Sequence, residues 1–241
     1  VSKLILFNKP YQVLSQFSDL DQKVTLKKYL NHSELEHCYP AGRLDYDSEG
    51  LLLLTDDGKL QNQIADPQHK LPKYYWAQVE GKPTNNELAA LRKGVLLKDG
   101  PCKPAKVDII QAPSLWDRNP SIRKRNNDQT TWLSISITEG RNRQIRRMCG
   151  AINSPCLRLV RYRIGIWSLE GIKPGEYQLH NVHLPALEKQ RSEKYSSETR
   201  KADKRRASNY KAKSKKANKG GNQRKNQEKS HKPNQRGSSM S

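Results

Sequence analysis

Apolar residues in this chain come mostly in short runs and alternations. Leu4 to Phe7 is one run, stopped by Asn8-Lys9-Pro10, and Leu51 to Leu54 is another, bounded by Gly50 and Asp56-Asp57-Gly58. Four residues are too few for a lone helix, so both predict buried strands, the second buried on both faces. Lys73 to Glu80 is dense in aromatic and β-branched residues and stops at Gly81, which predicts a third strand. Lys103 to Ile110 predicts a fourth. Leu133, Ile135 and Ile137 alternate with serines and mark a half-buried fifth, and Leu157 to Ile164 gives a sixth. In that last strand Arg158, Arg161 and Arg163 interleave with the apolar positions, which predicts a basic surface along it.

Helical patterns are fewer. Thr25 to Leu30 predicts a short helix, and Lys59 to Ala65 another, closed by Asp66-Pro67. Thr84 with Glu87 three residues on is a capping box, opening a helix that runs to about Lys93 and stops at Gly94. Ile145, Met148 and Ile152 form a helical core stripe. Many strands with a few helices predict an α+β fold.

Between the fourth and fifth strands lies a long irregular segment, residues 111–131. Segments of this length inside a domain tend to be functional or disordered. Trp116, Arg118 and Arg123 within it suit RNA contact by stacking and by guanidinium. After the fifth strand, Glu139-Gly140 leads into Arg141-Asn142-Arg143-Gln144-Ile145-Arg146-Arg147-Met148. Arginines this dense at a glycine turn opening a helix suit phosphate, or pairing with a buried carboxylate. An ordinary solvated helix face is the alternative, since arginine is also a good helix former.

Composition changes the picture at the C-terminal end. Residues 188–241 hold 18 Lys or Arg against 5 Asp or Glu, which is 13 of the chain's 21 net positive charges, with few large apolar residues. Such a stretch cannot offset its ordering entropy by burial, so a disordered basic arm is expected after a body spanning 1–187. Its natural partner is a polyanion such as RNA, and a neutral, solubilising extension is the alternative. No amphipathic apolar face accompanies the charge, so a membrane surface suits it less.

Cys38, Cys102, Cys149 and Cys156 show no paired spacing and are expected as reduced thiols of a cytoplasmic protein. His180 and His183 lie three apart with no third ligand near, so surface histidines are expected rather than a metal site. The N-terminal apolar run is too short for a signal-peptide core or a membrane span.

The chemistry-bearing stretch is Ala41-Gly42-Arg43-Leu44-Asp45-Tyr46-Asp47-Ser48-Glu49-Gly50, which runs straight into the four leucines. A strand fixed by the core would hold Asp45, Asp47 and Glu49 on a rigid rim, where a carboxylate can act as nucleophile or general base. Spacing alone favours capping or a solvated loop. A calcium loop fits poorly: Glu49 stands where Asp or Asn is wanted, Leu53 offers no side-chain oxygen, and Asp56 is short for the bidentate position.

Three separated stretches resemble the motifs of RsuA-type ribosomal RNA pseudouridine synthases. They are Gly42 to Leu52, Lys73-Tyr74-Tyr75, and Glu139 to Met148, in the family's order; Leu157 to Arg161 adds a fourth. Arg118-Asn119-Pro120-Ser121-Ile122-Arg123 is similar to a signature of the RluE branch, which modifies a single uridine in large-subunit rRNA. The resemblance covers about residues 1–187, without the N-terminal S4 domain that many relatives carry. It implies a catalytic domain on a mixed, mainly antiparallel sheet, acting on large-subunit rRNA or its assembly precursor, with no cofactor and no metal. By the family's motifs, Asp45 is the essential carboxylate, Arg146 pairs with it, and Tyr75 stacks on the base and removes the C5 proton. Arg43 helps displace the uridine, and Lys73, Arg141, Arg143, Arg147, Arg118 and Arg123 are expected RNA contacts. Nothing in the pattern calls for more than a monomer.

Overall fold

The computed structural model describes residues 1–18, 22–69, 71–122 and 129–182. The basic arm, Arg123 and His183 lie outside them. Among the described residues fourteen strands and α-helices follow one another: β1 (Ser2–Lys9), β2 (Tyr39–Pro40), β3 (Glu49–Thr55), α1 (Gly58–Ala65), β4 (Lys73–Glu80), α2 (Asn85–Lys93), β5 (Leu96–Leu97), β6 (Gly100–Pro101), β7 (Lys106–Ile110), β8 (Thr130–Ile137), α3 (Gln144–Ala151), β9 (Cys156–Ile164), β10 (Trp167–Ser168) and β11 (Tyr177–Val182).

One mixed sheet runs β11-β1-β3-β9-β4-β8-β7, with β2 beside β3 and β10 beside β9. Among the described residues every pairing of named strands is antiparallel except one. β3 and β9 run parallel for two residue pairs only, Glu49 with Val160 and Gly50 with Arg161. That short contact is a seam between a half-sheet of β11, β1 and β3 and another of β9, β4, β8 and β7.

β3 is buried on both faces, as its four leucines predict. Leu51 and Leu53 pack with Leu4, Leu6, Leu60 and Ile64, whereas Leu52 and Leu54 pack with Ile5, Phe7 and Leu26 on the other side. Each fully buried leucine contributes about 1.5–3 kcal/mol, so the run contributes roughly 6–12 kcal/mol as an upper estimate. This is comparable to a whole domain's net stability of about 5–15 kcal/mol, so the loop entering β3 is tied to a part of the molecule that does not move cheaply. The third cluster lies on the face of β4, β8 and β9 that α2 and α3 cover, with Ala77, Leu133, Leu91 and Met148 at its centre.

Helix starts follow local chemistry. Asp57 caps α1 by accepting from the amides of Lys59 and Leu60 at 2.8 and 3.2 Å. Thr84 and Glu87 cap α2 as the predicted box. The segment expected as a helix from Thr25 tightens to a single 3-10 turn over Leu26–Lys28, because only Leu26 and Leu30 reach the core there. Lys103 to Ala105 precede the strand rather than begin it. The hairpin β5–β6 is too short to show a pattern, and the edge strand β11 alternates only from Tyr177 to His180; four of its six residues are exposed. No helix among the described residues is long and apolar enough to cross a membrane.

Candidate active site

The loop before β3 is fixed from both ends. Ala41 donates its amide to Leu53 at 2.8 Å. Leu44 is buried, and Ser15 grips its backbone twice, the hydroxyl donating to the carbonyl at 2.7 Å and accepting from the amide at 3.1 Å. With its neighbour anchored, Asp45 keeps a side chain about one-third exposed at the mouth of a cavity of about 550 Å³.

The seam itself requires glycine. Gly50 has φ +106, and a Cβ there would stand 2.9 Å from the Arg161 amide nitrogen and closer still to its carbonyl oxygen. No side chain permits β3 to approach β9 this closely. Across the seam, Tyr75 on β4 stands opposite Arg161 on β9, while Tyr74 stands opposite Arg163. Tyr162 is therefore the extra residue of a bulge, and bulges beside sites re-aim side chains. Here it leaves Arg161 lining the cavity with Lys73 and Tyr75. Tyr162 stacks on Trp76 at 4.2 Å between ring centroids, and Arg163 covers Tyr74 at 3.9 Å.

The third wall is the arginine turn. Buried Glu139 accepts from the amide of Lys103 at 2.9 Å and from the Gln144 side chain, and Gln144 in turn accepts from the Arg141 amide at 3.0 Å. This staples the turn so that Arg141 and Arg143 line the cavity. Arg143 adopts a left-handed conformation, φ 46 and ψ 34, uncommon for a residue with a Cβ. Its guanidinium forks onto Asp47 at 2.7 and 2.8 Å.

Several expectations need correction. Arg146 is not on Asp45: it donates to the Asp47 carbonyl and to the Cys156 carbonyl, with its Nε 3.4 Å from the Asp47 carboxylate. α3 carries it behind the loop, so it supports Asp45 only through Asp47. The cation nearest Asp45 is Arg143, at 4.0 Å. Burial works to raise the Asp47 carboxyl, but the Arg143 hydrogen bonds and the Arg146 charge outweigh it and hold it below its ordinary value. Glu49 is not on the rim either. It is 1% exposed inside β3, where Arg158 forks onto it at 2.9 and 2.9 Å and the Trp116 indole donates at 2.8 Å.

Arg118 is committed within the protein. It donates to the Pro120, Ser121 and Leu157 carbonyls and lies over the Tyr11 ring at 4.3 Å. Arg147 shares Asp99 with Arg141, outside the cavity. Arg158 and Arg161 are buried instead of forming a basic surface. Of the expected site residues, Arg43, Asp45, Lys73, Tyr75, Arg141 and Arg143 come together around the cavity.

Lys9 is a further buried group. Its ammonium, fully buried, donates to the Pro10 and Val13 carbonyls at 2.8 Å each, and burial pushes it down to about 7 against the pull of Glu49. Burial also lowers Lys73, helped by the Arg161 charge. A lysine after an apolar run looks like a strand end, so only the contacts show that it turns inward. The four cysteines are free thiols, and no cluster of His, Cys, Asp or Glu among the described residues could hold a metal ion.

A concave site with one carboxylate, two tyrosine rings and a cationic rim suits a base presented by a polyanion. A model of the RNA pseudouridylate synthase family matches residues 3–151. The chain is 53% identical over 176 residues to ribosomal large subunit pseudouridine synthase E of Vibrio parahaemolyticus, covering 73% of each. Identity is also 53% over 182 residues to the protein of that name from Xanthomonas campestris, covering 74% of this chain and 96% of the relative. A solved crystal structure of pseudouridylate synthase superposes with a TM-score of 0.61 at 29% identity, over 75% of this chain and 71% of the other. The matched span takes in the Asp45 loop, the Tyr75 strand and the arginine turn together: the chain belongs to the RNA pseudouridylate synthase family.

Proposed function

We propose that this chain isomerises one uridine of large-subunit ribosomal RNA, or of its assembly precursor, to pseudouridine, with Asp45 as the reacting carboxylate and Tyr75 against the base. The observation that carries this reading is the placement of Asp45 and Tyr75 on opposite half-sheets around one cavity of about 550 Å³. That volume is in the range of small-ligand sites and suits a single extruded nucleoside.

The reaction moves one bond. Uracil leaves C1′ through N1, turns, and rejoins C1′ through C5. Asp45 takes over C1′ by forming an ester, or takes the C2′ proton to give a glycal; either role needs an ionised carboxylate whose direction is fixed. Leu44 and Ser15 hold the backbone that carries it. Tyr75 would stack on the ring and accept the C5 proton after reattachment. A uridine inside a stem is beyond reach of any side chain, so Arg43, exposed at the mouth, would take the space it leaves. Arg141 and Arg143 on the opposite lip, already paired with Asp99 and Asp47, would have to share those partners to take flanking phosphates. Lys73, buried within the cavity, belongs with the base rather than with the backbone. All steps use this chain's own residues, so no cofactor is required, and a monomer in the cytosol suffices.

Asp45→Asn tests the assignment. With a large-subunit rRNA transcript the variant should form no pseudouridine while binding RNA nearly as the parent does, measured by nucleoside analysis and filter binding. Turnover by the purified variant would remove Asp45 from the chemistry.

A further inference from the structure

Arg161 is 4% exposed and lines the cavity between the carboxylate loop and the tyrosine. Its strand neighbours are Gly50 on β3 and Tyr75 on β4. Two of its nitrogens are used: Nε donates to the Leu51 carbonyl at 2.8 Å and Nη1 to the Arg43 carbonyl at 3.3 Å, spanning the Asp45 loop from both sides. The third, Nη2, is buried with no hydrogen-bond partner. A clamp needs only the first two contacts, and leaving a buried charged donor unpaired is costly.

The charges around it are also unbalanced. Arg158 neutralises Glu49, and Arg143 with Arg146 neutralises Asp47. Asp45 is then the one carboxylate in the cavity lining, with two buried cations, Lys73 and Arg161, beside it and Arg143 4.0 Å away. Arg161 lowers the Lys73 ammonium through its charge. A floor with this surplus favours an additional anion.

We propose that Arg161 is a catalytic residue that donates through Nη2 to a carbonyl oxygen of the departing uracil and so stabilises it as an anion. The inference rests on the uridine-isomerase reading of the cavity. When the C1′–N1 bond breaks, its electron pair stays on the ring, and the negative charge spreads over N1, O2 and O4. Asp45 meanwhile either bonds to C1′ or takes the proton from C2′. The anion then re-forms a bond to C1′ through C5, Asp45 leaves or returns its proton, C5 loses its hydrogen to a base, and N1 ends protonated. No oxidant or further reactant enters. Arg161 is preorganised for the charge that develops midway, because its other nitrogens are already fixed to the backbone.

The test compares two leaving groups. Single-turnover loss of the N1-linked nucleoside is measured for Arg161→Met and Arg161→Lys on transcripts carrying uridine or 5-fluorouridine, whose fluorine makes the departing anion more stable. Arg161→Met should lower the rate on uridine about 100-fold or more while the RNA half-saturation concentration barely moves. On 5-fluorouridine the loss should be at least about tenfold smaller, because the ring supplies its own stabilisation. Arg161→Lys, which keeps the charge, should recover part of the rate. If Arg161→Met does not fold, as judged by its melting curve, the same pair of substrates is read with Arg161→Lys. Equal losses on the two bases, or a change in binding alone, would overturn the proposal and leave Arg161 as a clamp. An active Asp45→Asn enzyme would instead sink the underlying reading of the site.

Discussion

Glu49→Gln changes one oxygen to an amide in a fully enclosed position, and its effect can be worked out from the contacts. Arg158 and Glu49 have side chains 9% and 1% exposed and meet through two hydrogen bonds of 2.9 Å. Two unit charges about 4 Å apart attract by about 4 kcal/mol at an effective dielectric constant of about 20. Removing one partner of a buried pair costs about 3–5 kcal/mol, mostly because the other is left charged and uncompensated. Glutamine still accepts the Trp116 indole and one guanidinium bond, so the lower end, about 3 kcal/mol, is expected. With an m value of about 2 kcal/mol per molar urea, the midpoint should fall by about 1.5 M. The assay is urea titration of the full chain followed by circular dichroism. Glu49→Gln with Arg158→Met should lose less than the sum of the two single changes, by about 2 kcal/mol, since it removes both charges. A Glu49→Gln midpoint within about 0.3 M of the parent would refute the argument.

Three other outcomes follow from named groups. Lys9 is depressed from 10.5 to about 7 in the native protein, so between those values the unfolded chain binds the extra proton. Stability should rise with pH across that window by up to roughly 1.4 kcal/mol per unit, with the penalty complete below it; Lys9→Met should flatten the rise, and an unaltered slope would count against the buried ammonium. Gly50→Ala places a methyl group against the Arg161 backbone at φ +106 and should cost about 1–3 kcal/mol or more, with activity abolished; an alanine variant that melts like the parent would show that the seam tolerates separation. Truncation after Leu187 removes 18 basic residues and should flatten the salt dependence of RNA binding, by about 0.7–0.9 in log–log slope for each phosphate the arm no longer neutralises; an unchanged slope would leave the arm without this role.

What was legible in the sequence was whatever local chemistry decides. Four leucines between turn residues fix β3, Thr84 with Glu87 fixes the start of α2, and alternation from Leu133 fixes β8, because each signal lies within a few residues. Edge strand β11 was illegible: it exists because β1 offers its backbone from Ser2 to Phe7, and its own side chains stay mostly in water. The site divided in the same way. Asp45, Tyr75 and Arg143 were legible from motif and turn, and they do surround one cavity. The partners of the arginines were not, because Arg146 meets Asp47, Arg118 meets Leu157 and Tyr11, and Arg158 meets Glu49 only after strands distant in sequence come together. Arginine's long side chain reaches carbonyls on several segments, so its sequence position says little about its destination.

The two-pair join between β3 and β9 has a consequence for how RNA is held. Few backbone hydrogen bonds link the half-sheets there, yet Asp45 belongs to one and Tyr75 to the other. On the proposed reading, a nucleotide gripped by both would act as a rivet through that narrow join. Free energy released on binding would then be shared between capture and tightening, and nucleic acid that fails to reach both sides would forgo the second part. Discrimination among uridines would then depend on how firmly each one fastens the halves, as well as on which neighbouring bases are touched.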